Sequence, residues 1–231
     1  MITCSSGITD GMAITMLDPD GIEAAARELS AGRAVVLPFP SPLPYVVAGT
    51  SASGVNTAKG RPAGQPAGMV IADPAHLRRY IALDEETRQF AEWASSIRKV
   101  NLLVPVTGTV PDWARPAVSA GWAAYTLAFL PELRPLLDRF GHLYLSSANR
   151  TKREVATAAR AADTEFGGGL LVVDGDRLRD QNAKSGSAAI VRCDRDLSLT
   201  VHRPGIHLDG WPDPGSYLAD LKRDWQKSSA S

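Results

Sequence analysis

Cysteine is scarce: Cys4 and Cys193 are the two in 231 residues. Two thiols cannot build a disulfide framework and show no metal-ligand spacing. Such thiol economy fits a reducing compartment. His76, His142, His202 and His207 include no pair at ligand spacing, so no metal site built from them is expected. No apolar run approaches the ~20 residues that cross a bilayer. Residues 1–16 carry no basic stretch ahead of an apolar one, so neither a signal peptide nor a membrane span is expected, and the expected location is the cytoplasm. Net charge is lacking as well, because 25 Lys and Arg balance 25 Asp and Glu. No global field pulls the molecule onto nucleic acid or lipid, and any such binding must come from a local patch. There are no internal repeats.

What is present suits a globular chain. The sequence is 44% hydrophobic and 22% charged, enough for one domain of ~150–200 residues plus an appendage, or two small domains. Residues 1–16 read as a loose arm or a first edge strand. Asp18-Pro19 opens a helix whose buried face holds Ile22, Ala25, Ala26 and Leu29, ended by Gly32. Strands are expected at 34–37 and 45–48, on either side of a loop with four prolines in seven residues, Pro38 to Pro44. A short helix over about 51–58 precedes Lys59. Further strands are expected near 69–72, 100–106, 125–130, 142–145, 170–173, 188–192 and 199–202. Helices are expected from Asp73-Pro74 to about Ala82, from Asp84 to about Ile97, and from Pro131 to Phe140. Thr151-Lys152-Arg153-Glu154 reads as a capping box opening another helix to about Ala162. About nine strands interleaved with about six helices give a mixed α/β sheet. The tail from Asp209 carries a helix around 216–226 with Tyr217, Leu218, Leu221 and Trp225 on one face; it can dock on the core or on a partner.

Two stretches carry the chemistry. Lys59-Gly60-Arg61-Pro62 sets two fixed cations beside a flexible glycine. Leu143 to Asn149 is a buried strand ending in Ser146, Ser147, Ala148 and Asn149. Cations facing hydroxyl and amide groups form a nest for a polyanion such as a nucleoside triphosphate. Each feature has a plainer reading: solvated loop cations for Lys59 and Arg61, and a strand-to-helix turn for the Ser-Asn run. Arg203 before Pro204-Gly205 fits anion binding or an ordinary ion pair equally. Arg150, Lys152 and Arg153 read as solvent-facing cations more readily than as an RNA rim. Gly167-Gly168-Gly169 precedes a strand, so it is a turn and no phosphate loop.

The order of Arg33-Ala34-Val35-Val36-Leu37-Pro38, Lys59-Gly60-Arg61-Pro62, Leu145-Ser146-Ser147-Ala148-Asn149, Gly186 to Val191 and Arg203-Pro204-Gly205 resembles the YrdC-type family of threonylcarbamoyl-AMP synthases over roughly residues 17–206. The resemblance implies an α/β fold: a twisted open mixed sheet flanked by helices, with a concave basic face first described as a double-stranded-RNA-binding shape. It divides the chain into an arm (1–16), a YrdC-like domain (17–208) and a helical tail (209–231). It implies use of ATP, with Mg²⁺ arriving on the nucleotide, and of bicarbonate and a small amine or amino acid, with pyrophosphate released. It places Lys59 and Arg61 on the triphosphate as catalytic and binding cations, Ser147 and Asn149 at the nucleotide and reacting phosphate, and Ser187 and Arg203 on the nucleotide side.

The sequence departs from that pattern on the other side of the site. The family's Pro-Thr-acidic-Thr stretch is replaced by Phe39 to Tyr45, and its Pro-Gly-Pro turn by Ile97-Arg98-Lys99. Thr126 takes the place of an Arg that helps bind the amino acid, and Ala188 that of a threonine. Thr126 and Tyr45 are the remaining candidates for substrate contact. Two expectations follow: an ATP-dependent nucleotidyltransferase-like protein that forms a carbamoyl- or acyl-adenylate on a substrate other than threonine, or a non-catalytic module that binds a nucleotide or double-stranded RNA.

Overall fold

The two Asp-Pro pairs meet different fates in the computed structural model, which describes residues 14–151 and 153–229. Asp18 accepts the Gly21 N–H at 2.9 Å and starts a twelve-residue helix. Asp73-Pro74, expected to open a helix to about Ala82, makes a single 3-10 turn, Pro74–His76. The chain beyond it is claimed by strand pairing: Ile81 bridges Val106, and Thr107 donates its N–H to Tyr80 O at 2.7 Å.

In chain order the strands are β1 (Ile14–Met16), β2 (Val35–Leu37), β3 (Val46–Gly49), β4 (Gly68–Ile71), β5 (Asn101–Pro105), β6 (Val118–Ser119), β7 (Trp122–Thr126), β8 (His142–Ser147), β9 (Leu171–Asp174), β10 (Ile190–Cys193) and β11 (Leu199–Arg203). The helices are α1 (Pro19–Ser30), α2 (Ala52–Ala58), α3 (Glu85–Ser96), α4 (Arg134–Phe140), α5 (Ala159–Phe166) and α6 (Pro214–Ser229). The strands form one sheet in the order β1-β9-β2-β3-β8-β4-β7-β5-β10-β11, with β6 paired to β7. Parallel pairs (β1 with β9, β9 with β2, β4 with β7, β5 with β10) occur beside antiparallel ones, so the sheet is mixed, and it is open, with β1 and β11 at its edges. Of the expected arm, residues 1–13 lie outside the described residues, and Ile14–Met16 pair with β9 as an edge strand.

Two expected boundaries shift. The strand expected at 125–130 runs instead from Trp122 to Thr126. Its ladder stops because Ser95 Oγ accepts the Leu127 N–H at 2.8 Å and Thr126 Oγ1 accepts the Ala128 N–H at 3.1 Å. The helix expected from Thr151 begins only at Ala159; Lys152 of that motif lies outside the described residues. The intervening backbone is held elsewhere: Ala156 donates to Ala148 O, and its own carbonyl accepts from Tyr45 N, both at 2.9 Å.

Helices cover the two faces unequally. α2, α3, α5 and α6 pack on one face against Met69, Tyr144, Leu102, Tyr125 and Val191. α1 and α4 pack on the other against Leu37, Val46, Leu143 and Leu145. That second layer leaves the β7, β5 and β10 side of its face open. α6 docks on the body of the protein: Leu221 is fully buried, and Trp225 lies 5.6 Å from Trp93 and 6.1 Å from Phe90, centroid to centroid. Arg98 adds bonds to Asp220 and Asp224.

Candidate functional site

Three segments converge on the open part of the sheet. The first is the end of α2. Lys59 caps the helix and Gly60 takes φ +65°, a conformation that glycine reaches without strain. Gly60 N–H then reaches Thr57 O (3.0 Å) and Arg61 N–H reaches Asn56 O (2.8 Å), the paired bonds of a left-handed helix stop. The buried Asn56 side chain donates to Ala63 O (3.1 Å) and Gln65 O (2.7 Å), which fixes the loop that follows.

The second segment is the end of β8. Ser146 and Ser147 pair with Val47 and Val46 of β3. Lys59 Nζ donates to Ser147 O, and to Asn149 Oδ1 at 3.2 Å. Arg61 Nη1 donates to Ser146 Oγ at 3.0 Å. Ser147 Oγ donates to Asn149 Oδ1 at 2.7 Å, while Asn149 Nδ2 donates to the carbonyls of Arg150 and Arg153. Arg61, Ser146 and Ser147 line the cavity between the three segments, whereas Lys59 and Asn149 meet on Ser147 without lining it.

The third segment is the Arg203-Pro204-Gly205 turn. A Cβ on Gly205 would lie 2.3 Å from Ala189 N and 2.4 Å from Ser187 O, so no side chain fits. Ile206 N–H donates to Ser187 O at 2.8 Å, and Arg203 Nη2 to Ala188 O at 3.3 Å. This contact holds Ser187 and Arg203 together at the rim.

Between these segments lies a cavity of about 470 Å³. Phe39, Leu43 and Pro44 form one wall. The proline loop that carries them is pinned by Lys99 Nζ on Ser41 O, Arg179 on Leu43 O, and Gly186 N–H on Pro42 O at 3.0 Å. Arg61, Ser146, Ser147, Ser187 and Arg203 supply the polar side; Arg192 and His202 also face in. Among the described residues, no Asp or Glu lines the cavity. Among the described residues, Lys59, Arg61, Arg192 and Arg203 take part in no ion pair.

Uncompensated charge perturbs the lysine. Burial pulls the Lys59 ammonium down to about 7, Arg61 and Arg203 push it the same way, and Glu165 opposes them. Lys59 is 4% exposed, so water does little to screen it. Burial and Arg203 lower Arg61 too. A polyanion at this end would relieve the strain on each cation, so the residues present fit a phosphate chain.

Of the two substrate-side candidates, Thr126 lines the cavity and Tyr45 falls elsewhere. Tyr45 is fully buried and does not line the cavity: its hydroxyl donates to Asp176 Oδ1 at 2.7 Å and accepts from Gly175 N, and Arg179 stacks 5.1 Å from its ring. Its hydroxyl and ring contacts are with core residues. Thr126 borders the cavity at 1% exposure, with its hydroxyl turned to Ser95 and the Ala128 N–H. Asn56, Arg179 and Arg192 escaped the sequence reading. Only Arg192 left a signal there, as a lone charge inside the apolar strand Ile190-Val191-Arg192-Cys193.

The sequence matches the Sua5–YciO–YrdC family model, described as telomere recombination, over residues 48–205. A search of curated proteins found no match. The fold is similar to P. abyssi Sua5 solved with L-threonine: TM-score 0.61, 18% identity, covering 83% of this chain and 56% of that one. It is similar to E. coli YciO (TM-score 0.58, 14% identity, 80% and 89% covered). It is also similar to full-length HypF in a phosphate- and nucleotide-bound form (TM-score 0.61, 13% identity, 80% and 29% covered). The chain therefore spans little more than half of that Sua5 and under a third of HypF. With a family model matched over more than half of its length and the mixed open sheet in place, this chain belongs to the Sua5/YciO/YrdC family.

Proposed function

We propose that this protein binds ATP in the cavity and uses it to make a carbamoyl- or acyl-adenylate on a substrate other than threonine. The observation that carries the reading is a cavity that Arg61 and Arg203 line with no Asp or Glu among the described residues, and with the buried Lys59 next to it on Ser147 O. Arg61 and Lys59 hold the phosphates and neutralise the charge that develops on the leaving group. Ser147, Asn149, Ser187 and Arg203 orient the nucleotide. A carboxylate or carbamate oxygen attacks the α-phosphorus, the bond to the bridging oxygen breaks, and pyrophosphate leaves; no side chain is consumed. Magnesium would arrive on the phosphates and neutralise part of their charge there. The bound L-threonine of P. abyssi Sua5 and the nucleotide of HypF support the two substrate classes by analogy.

The substrate clause rests on the other wall. Phe39, Leu43 and Pro44 are apolar, Ala188 has no hydroxyl, and Thr126 Oγ1 already accepts from Ser95 Oγ and the Ala128 N–H. Binding without turnover is the second reading, favoured by the same losses; RNA is its alternative ligand. Isothermal titration with a non-hydrolysable ATP analogue, followed by a pyrophosphate-release assay with bicarbonate and amino acids, separates these outcomes. Failure to bind the analogue at millimolar concentration refutes the nucleotide site. Threonine binding at ordinary enzyme affinity refutes the altered specificity.

A further inference from the structure

One cation in the cavity stands apart from the phosphate end. Arg192 of β10 pairs in register with Leu103 of β5, and its guanidinium lies 5.0 Å from the centroid of the Trp122 ring on β7. The stack fixes the plane of the guanidinium fork. Arg192 Nε is buried and has no hydrogen-bond partner, and no carboxylate pairs with the side chain among the described residues. A shielded guanidinium N–H without an acceptor is costly, and because Arg192 lines the cavity a ligand can supply one. Arg203 is in register with Ile190, two residues back along β10, so the two arginines are offset by about 7 Å along the strand. Ile190, in register with Arg203 and two residues before Arg192, is the apolar lining residue between them, and Leu103 and Ala124 continue the apolar floor level with Arg192 on β5 and β7.

We infer that the Arg192–Trp122 pair is a carboxylate subsite, and that the substrate meeting the nucleotide is two-ended. Its reacting amine or carboxylate faces Arg61 and Arg203, its middle is apolar, and a second, non-reacting carboxylate lies on Arg192. A carboxylate suits the site better than phosphate does: one fixed guanidinium matches one planar monoanion, whereas a multiply charged phosphate chain is drawn to the three cations at the other end. The identity of the reacting end rests on the adenylation reading, but the carboxylate subsite does not.

The test titrates the ligand-free protein with 4-aminobutyrate, 6-aminohexanoate, L-leucine and L-phenylalanine, each beside its methyl ester, reading intrinsic tryptophan fluorescence and heat. At least one acid is expected to bind tenfold or more tighter than its ester. Arg192→Ala and Arg192→Met, the second keeping the aliphatic stem over Trp122, are expected to erase that preference and to leave affinity for a non-hydrolysable ATP analogue within twofold. Equal binding of every acid and ester overturns the inference. So does an arginine variant that weakens the ATP analogue as much as the acid, which would make Arg192 part of the phosphate end. Binding of a single-stranded oligonucleotide that depends on Arg192, with no acid preference, overturns it in favour of a base-stacking platform. If the ATP analogue fails to bind while the acid preference stands, the nucleotide reading fails and the subsite survives.

Discussion

Anion binding at the phosphate end should take up a proton, and Lys59 is the group that receives it. In the free protein burial and the neighbouring arginines hold Lys59 near 7 instead of the ordinary 10.5. At pH 8 about nine in ten molecules then carry a neutral Lys59, whereas at pH 6 about one in ten do. A bound polyanion restores the charged form, so binding at pH 8 is expected to take up ~0.9 proton, falling to ~0.1 at pH 6. Affinity should fall by up to about tenfold per pH unit above 7, until the pH passes the lysine pKa of the complex. Titration calorimetry of a non-hydrolysable ATP analogue at pH 8, in two buffers of different ionisation enthalpy, reads the proton number. The nucleotide's own phosphate titrates near pH ~6 and is silent at pH 8. Lys59→Arg keeps a charge that does not titrate in this range and should abolish the uptake. The sign for stability is opposite. Between about 7 and 10.5 the unfolded chain keeps a proton that the folded one has lost, so Lys59 adds stability to the ligand-free protein as pH rises through that window. No proton uptake at pH 8, or uptake undiminished in Lys59→Arg, would refute the assignment of Lys59 to the anion.

Other expectations test how the site is held. Gly205→Ala drives a Cβ to 2.3 Å from Ala189 N; a loss of ~2 kcal/mol or more in urea unfolding is expected, with weaker ATP-analogue binding as Ser187 and Arg203 shift. Asn56→Ala removes two buried bonds to the loop after Arg61 and should cost ~1–3 kcal/mol, with a larger fractional loss of analogue affinity than of secondary structure by circular dichroism. Tyr45→Phe should cost about 1 kcal/mol by losing the Asp176 bond and leave analogue affinity unchanged, since the ring lies outside the cavity; a changed affinity would return Tyr45 to the site. Leu221→Ala opens a hole under α6 and should cost ~2–5 kcal/mol, with hydrogen exchange rising first in residues 214–229.

Local chemistry written in the sequence fixes much of this molecule. The Asp18 cap, the Gly60 helix stop after Lys59 and the apolar runs at Val35 and Leu143 each depend on neighbours within a few residues, and each is legible there. The Lys59 and Ser147 stretches could be suspected as a pair, but their contact is made by the pairing of β3 with β8 about a hundred residues apart. Long-range partners decided the rest. Asp176 places its carboxylate 3.2 Å from Ala159 N and so caps α5, which moves the helix start past the Thr151 capping box. Pairing between Ile81 and Val106 overrode the Asp73-Pro74 start. Arg192 became a cavity residue only because β10 lies beside β5 with β7 next in the sheet, bringing Trp122 under it. A propensity describes what a residue prefers next to its neighbours; which residues become neighbours across the sheet is set by the packing of the whole chain.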